Sequence, residues 1–265
     1  MGYMMDAPRS VGPMIKILRD MGQYRYDPAD VFRDWIDYSV GCFLVHGDRE
    51  MAERMLAKYK ADYVQLGNLL RAWMEVMDKE IADDGRSWFD ALGTVYEYLA
   101  SSSKRQWLGQ FFTPPDVCDL MTQINTDPAQ PMRGKRINDP AVGSGRTLLS
   151  FNAYHPGNYV CGEDLDPICA KMTVLNMAMH GCQGQVCCQD SLRTDDWRFG
   201  YEVNPLHATG GPPIPHLLPI TKEQSVAWQV MQSLVREAAD RKAEPKVVVP
   251  PPIEVKPKVG QLSLF

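Results

Sequence analysis

Ile137-Asn-Asp139-Pro-Ala-Val-Gly143-Ser-Gly145-Arg146-Thr-Leu-Leu149 decides how this chain is read. A short apolar lead-in ends in Asp139, a Gly-Ser-Gly turn follows, and a helical pattern opens at Arg146. Strand, tight loop and helix N-terminus in that order let backbone approach a nucleotide-like ligand closely. Gly143 and Gly145 can take positive φ and carry no Cβ to block a ligand. No Gly-Lys-Ser/Thr follows, so this is not the phosphate loop of an ATPase. Asp139, at the strand end, suits a cationic or hydroxyl group better than a phosphate. Those properties point to S-adenosylmethionine, which offers an ammonium and a ribose and no phosphate.

Working outward, a βαβ rhythm surrounds the loop. A strand over 136–138 leads to a helix over 146–153, and a strand over 159–163 leads to a helix over 167–180. A third apolar run over 185–188 precedes Asp190, and a fourth strand is expected over 201–203. Alternation of this kind predicts an α/β fold with a parallel, doubly wound, Rossmann-like sheet. Upstream, Asp27-Pro28-Ala29-Asp30 reads as a helix start, with proline early and acid in the first turn. Further helices are expected at 49–60, 62–82 and 87–101, the last with Trp88, Leu92, Val95, Tyr96 and Leu99 as one stripe. Gly109-Gln-Phe-Phe-Thr-Pro-Pro breaks that pattern, and Pro115 opens a short helix. The organisation read from these shifts is a flexible arm over 1–26, a helical domain over 27–105, a cofactor domain over 106–243 and a Pro-rich tail over 244–265. One more helix is expected near 222–241.

The chain has 265 residues, 45% hydrophobic and 23% charged, with a net charge of −5, which argues against a protein that coats DNA through its overall charge. Any nucleic-acid contact would need a local basic cluster such as Lys104-Arg105 or Arg133, Lys135 and Arg136. No apolar run reaches membrane-spanning length, and seven cysteines without a Cys-x-x-Cys pair suggest buried, reduced thiols and no metal site. A cytoplasmic protein is the expectation. Asp164 lies 19 residues beyond Gly145, where a carboxylate can accept both ribose hydroxyls, with Glu163 and Asp166 as competitors. Asp190 can accept from an adenine amino group or cap a following helix.

Five motifs occur in order: Gly109-Gln-Phe-Phe-Thr-Pro, Asp139-Pro-Ala-Val-Gly-Ser-Gly, Gly162-Glu-Asp-Leu-Asp-Pro, Asn176-Met-Ala-Met-His-Gly and Gln189-Asp-Ser-Leu. Together they resemble the adenine-N6 DNA methyltransferases, in particular the modification subunits of type I restriction systems. The resemblance implies an S-adenosylmethionine methyltransferase sheet preceded by a helical N-terminal domain. By that resemblance Phe111, Phe112, Thr113 and Pro114 line the cofactor, and Asp139, Gly143 and Gly145 hold its amino-acid end. Asp164 would take the ribose and Asp190 the adenine. The substrate implied is DNA, with a separate specificity subunit as partner.

The family's catalytic loop reads Asn/Asp-Pro-Pro-Tyr/Phe after the fourth strand, where it orients the target amino group and stacks on the flipped base. The matching stretch here is Asn204-Pro205-Leu206-His207, which keeps the Asn and first Pro and loses the second Pro and the aromatic. Asn204 and Pro205 are therefore the expected catalytic residues, on a sheet shortened at its C-terminal half. The alternative is a methyltransferase-like binding protein that keeps the cofactor cleft and acts through docking. Docking has its own signal, because Gln261-Leu262-Ser263-Leu264-Phe265 resembles the peptide by which bacterial proteins bind the DNA sliding clamp. Gln261, Leu262, Leu264 and Phe265 would enter an apolar pocket from the end of a Pro/Lys spacer.

Overall fold

The computed structural model describes residues 7–22, 25–81, 86–102, 111–127, 130, 132–193, 196–211 and 213–243. Helices α1 (Gly12–Gly22), α2 (Pro28–Phe43), α3 (Arg49–Tyr59), α4 (Val64–Glu80) and α5 (Ala91–Ser102) form the N-terminal part. Asp27 caps α2 by accepting from the Ala29 N–H, with Pro28 in the first helical position, as its sequence predicts. The expected flexible arm over 1–26 is corrected by α1. Its Met14, Ile15, Leu18 and Met21 are buried at helical spacing, and the helix packs on α2 and α4. The Gly and Pro residues that suggested disorder instead punctuate the helix ends.

Helix α6 (Pro115–Asn125) precedes the sheet, which runs β1 (Arg136–Asp139), α7 (Arg146–Tyr154), β2 (Tyr159–Asp164), α8 (Pro167–Met179), β3 (Gln183–Gln189), β4 (Trp197–Val203) and β5 (Leu217–Ile220). Spatial order equals chain order, β1-β2-β3-β4-β5. β1, β2 and β3 are mutually parallel, in line with the expected rhythm, but β4 is antiparallel to β3 and β5 to β4. The parallel reading of the fourth strand is thus corrected. Only residues 190–196 separate β3 from β4. A parallel crossover needs a dozen or more residues, usually with a helix, so this link can only turn back.

Helix α8 is buried along its length from Ile168 to Ala178 except at Lys171, because it lies between the sheet and the N-terminal helices. Lys171 itself reaches Asp37 of α2 at 2.6 Å. One apolar core runs from Trp35 and Trp73, packed edge to face, through α8 to Val160 and Val186 of the sheet. The helical and sheet regions therefore share a core, and the expected boundary at 105/106 falls outside the described residues. On the opposite face, α9 (Val226–Ala243) lies over Asn138, Cys161 and Glu163. Two rows of polar side chains cross the strands there. Asn138 and Gln189 both donate to Glu163, and Tyr159 and Gln185 both donate to Glu202. No helix among the described residues is long and apolar enough to cross a membrane.

Six of the seven cysteines are buried. Burial pushes the thiols of Cys118, Cys161 and Cys188 up to about 11 and those of Cys182 and Cys187 up to about 12. Cys42 alone is exposed. Titration of the folded protein with an aromatic disulfide at pH 8 is expected to label one thiol quickly and the rest only after denaturant is added. Rapid labelling of several would contradict this packing.

Candidate cofactor-binding site

The loop between β1 and α7 is held from three directions. The Asp139 carboxylate accepts from the Ala141 N–H at 3.0 Å and from the Thr147 hydroxyl, closing the turn on itself. Gly143 has φ +59°, its N–H donates to Asp164 Oδ2 at 2.8 Å, and its carbonyl accepts from the Thr173 hydroxyl at 2.8 Å. A Cβ on Gly143 would stand 2.8 Å from the Phe112 ring, so ring and loop approach as closely as they do only because the side chain is absent. Gly145 has φ +97° and is the N-cap of α7, and a Cβ there would meet Thr173. The sequence placed Gly145 against the ligand; here it makes room for α8.

These walls enclose a cavity of about 430 Å³, bordered by Phe111, Phe112, Thr113, Asp139, Gly143 and Asp164 of the expected set. Met121, Ala141, Val142, Ser144, Arg146 and Thr147 complete it. Both Asp164 oxygens already accept backbone N–H groups, from Gly143 and from Asp166, each at 2.8 Å. A carboxylate has about four acceptor positions, so about two stay open to a ligand. Burial raises the Asp164 pKa above the ordinary carboxylate value, while those two N–H groups pull it back down. The competitors are otherwise engaged. Glu163 faces α9, and Asp166 caps α8 through the Ile168 N–H.

Asp190 is not among the residues bordering the cavity. Its carboxylate accepts from the Leu192 N–H at 2.9 Å and lies 3.6 Å from Arg193, closing the turn that leads from β3 towards β4, and among the described residues no helix follows it to be capped. Pro114 is the N-cap residue of α6 and is likewise absent from the cavity border.

The expected catalytic pair lies elsewhere. Val203 pairs with Gly184 at the start of β3, whereas Asp164 is level with Cys188 near its end. At about 3.3 Å per residue, that five-residue step along β3 puts Asn204 roughly 17 Å along the strands from Asp164, at their opposite end. Asn204 is buried at φ +52°, and its amide nitrogen donates to the carbonyls of Ala178 (3.1 Å) and Cys182 (2.9 Å). Its Oδ1 accepts from the His216 N–H at 3.1 Å. Pro205 opens the 3-10 turn Pro205–Thr209, and the His207 ring stands edge-on to His216 at 5.4 Å. The reversal of β4 is what carries this loop away from the cofactor side. Arg136, with Arg133 and Lys135 before it, also sits at that far end. Lys104-Arg105 and the whole tail 244–265, including Gln261, Leu262, Leu264 and Phe265, lie outside the described residues.

Sequence reasoning passed over the charged cluster behind the loop. Asp90 is buried and accepts four hydrogen bonds, from the Gly93 N–H, the Asn176 amide, the Ser144 hydroxyl and Arg146 Nε, all between 2.5 and 2.7 Å. Arg146 turns its Nη2 to Glu97 Oε2 at 2.8 Å. Burial works against the Arg146 charge, but Asp90 and Glu97 outweigh it and raise its pKa. A signal was present in the sequence. Asp90 interrupts the apolar stretch Trp88-Phe89-Asp90-Ala91-Leu92, and Arg146 is a cation at a helix N-terminus, where the dipole disfavours one.

With this geometry in hand, residues 88–208 match the family model described as N-6 DNA Methylase. The MjaIX methylase subunit of a type I restriction enzyme from Methanocaldococcus jannaschii is 28% identical over 131 residues, which cover 43% of this chain and 22% of the relative. The chain thus spans about a fifth of that curated relative's length. Among solved structures, a Listeria monocytogenes protein described as a class I S-adenosylmethionine-dependent methyltransferase overlaps at TM-score 0.42 and 12% identity, over 69% of this chain and 54% of its own. A type I restriction-modification methyltransferase subunit from Streptococcus thermophilus overlaps at TM-score 0.31 and 23% identity, over 65% and 36%. Both overlaps are partial, and the fold rests on the strands and crossovers described above.

The Asn204 geometry gives a direct test. Asn204→Ala removes the side-chain donor to the Cys182 and Ala178 carbonyls, the latter still accepting from the Gly181 N–H, removes the acceptor of the His216 N–H, and leaves alanine in a left-handed conformation. It is expected to lower unfolding free energy by about 2–3 kcal/mol in urea titrations while leaving ligand affinity at the cavity unchanged. Unchanged stability would remove the structural assignment.

Proposed function

We propose that this chain is an S-adenosylmethionine-dependent methyltransferase of the adenine-N6 type, related to the modification subunits of type I restriction systems. The observation that carries the reading is the Asp139–Gly143 turn, hydrogen-bonded to Asp164 and roofed by Phe112. The residues fit the cofactor. A cavity of about 430 Å³ has the size of a small-ligand site, and its two carboxylates accept hydrogen bonds from hydroxyl and ammonium groups but repel phosphate. When bound, the cofactor supplies an electrophilic methyl group.

On this reading Asp164 takes the ribose hydroxyls, Asp139 and the adjoining loop take the amino-acid end, and Phe112 covers the ligand against Gly143. The substrate is adenine in DNA, reached in the cytoplasm and selected with a specificity partner. The C-terminal Gln261–Phe265 peptide docks on a bacterial sliding clamp, supported by its sequence and its Pro/Lys spacer. Deleting 261–265 is expected to abolish retention of the chain on immobilised clamp; undiminished retention would end that part of the proposal.

Calorimetry with S-adenosylmethionine, followed by tritiated methyl transfer to mixed-sequence duplex DNA, tests the main reading. Saturable binding is expected, weakened at least tenfold by Asp164→Ala through lost hydroxyl contacts. Because burial raises the Asp164 pKa, affinity should fall as pH drops through that raised value, when the carboxyl loses its charge and an acceptor position. The Asp164→Asn variant should lack this acid limb. Tight binding with no transfer to any adenine-containing DNA would sink the enzyme assignment and leave a binding protein.

A further inference from the structure

We infer that Glu97 is a positioning residue for the cofactor site, joining its two walls through Arg146. The inference rests on the cofactor reading above. One wall is the 139–147 loop and the other is the 111–113 segment; they are far apart in sequence and belong to different elements. Glu97, on α5, is bonded to both. Its Oε1 accepts from the Phe112 N–H at 3.0 Å and from Arg146 Nη1 at 3.3 Å, and its Oε2 accepts from Arg146 Nη2 at 2.8 Å.

Arg146 completes the joint. Its Nη1 also donates to the Thr113 carbonyl at 3.3 Å, and its guanidinium lies 5.4 Å from the Phe112 ring centroid. That ring also meets Tyr96, one residue before Glu97, at 5.4 Å between centroids. Phe112 is thereby fixed at its backbone by Glu97 and at its ring by Tyr96, Arg146 and the bare Cα of Gly143. Asp90 immediately precedes α5 and Glu97 lies seven residues further on, two helical turns, so they present their carboxylates on one side to a single arginine. Arg146 occupies the first position of α7, where a helix dipole opposes a cation, and that placement persists because these two carboxylates face it.

Asp90 supports the loop side alone, through Ser144 and Asn176. Glu97 is the member common to both walls, so its charge governs how Phe112 sits over the ligand. Glu97→Gln keeps an acceptor for the Phe112 N–H but replaces the charge facing Arg146, whereas Glu97→Asp keeps the charge and shortens the reach.

Calorimetry with S-adenosylmethionine at 10 °C, on variants whose circular dichroism matches that of the wild type, tests this on the full chain. Wild type and Asp164→Ala come first, since a wild type that fails to bind overturns the cofactor reading and this inference together. With wild-type binding established, Glu97→Gln is expected to weaken it about tenfold. Combined with Arg146→Lys it should be no weaker than the poorer single variant, because both act through one joint, whereas combination with Asp164→Ala should be additive. Hydrogen exchange gives a second readout. The Phe112 amide should lose protection in Glu97→Asp while the β2 ladder amides keep theirs, and added ligand should restore it. Unchanged affinity in Glu97→Gln, or simple additivity with Arg146→Lys, overturns the positioning role even if thermal stability falls.

Discussion

The carboxylate of Asp90 is the constraint from which the site is built. Four donors converge on it from α5, α8 and the β1–α7 loop, so all its acceptor positions are filled. A buried charge with every lone pair engaged is stable only while its partners hold their places. Removing Asp90 would leave Arg146 charged and buried beside Glu97 alone, a change of the kind that costs about 3–5 kcal/mol. The N-terminal helices thus support the candidate site, because the residue leading into α5 delivers this anion to the back of the loop.

The same logic explains the chemistry at the mouth of the cavity. The backbone loop needs positive φ at Gly143, and that conformation aims its N–H at Asp164 on the next strand. Neighbouring parallel strands therefore meet at one wall of the cavity, where the turn spends the Gly143 N–H on the carboxylate of the next strand. Helix α8 fixes their spacing by packing Thr173 against the turn from below.

How much of this was legible in the sequence depended on how local the determinant was. The 146–153 and 167–180 helices and the strands before them were readable because period, proline and cap residues lie within a few positions of one another. Asp139, Gly143 and Asp164 were found for the same reason, each at a strand end or turn with its own local signal. The direction of β4 was not read, although the short link over 190–196 encoded it; the parallel rhythm of the preceding units was carried forward instead. That step also misplaced Asn204, whose Asn-Pro sequence matches a catalytic loop while its environment is a helix end and a strand start. Asp90, Glu97 and Arg146 escaped because their meaning is tertiary, with 56 residues between the first and the last. Helix α1 was missed for a different reason, since its apolar spacing was present but bracketed by glycine and proline.

The two polar rows beneath α9 have a consequence for the sheet as a whole. β2 and β3 are buried almost end to end but carry few large apolar side chains and a glycine each, Gly162 and Gly184, and glycine weakens the specification of strand register. Asn138–Glu163–Gln189 and Tyr159–Glu202–Gln185 each span strands through one shared glutamate acceptor. A displacement of one residue would send every one of these side chains to the other face. The rows act as a combination lock on strand alignment, and it is that alignment which brings Asp164 level with Gly143.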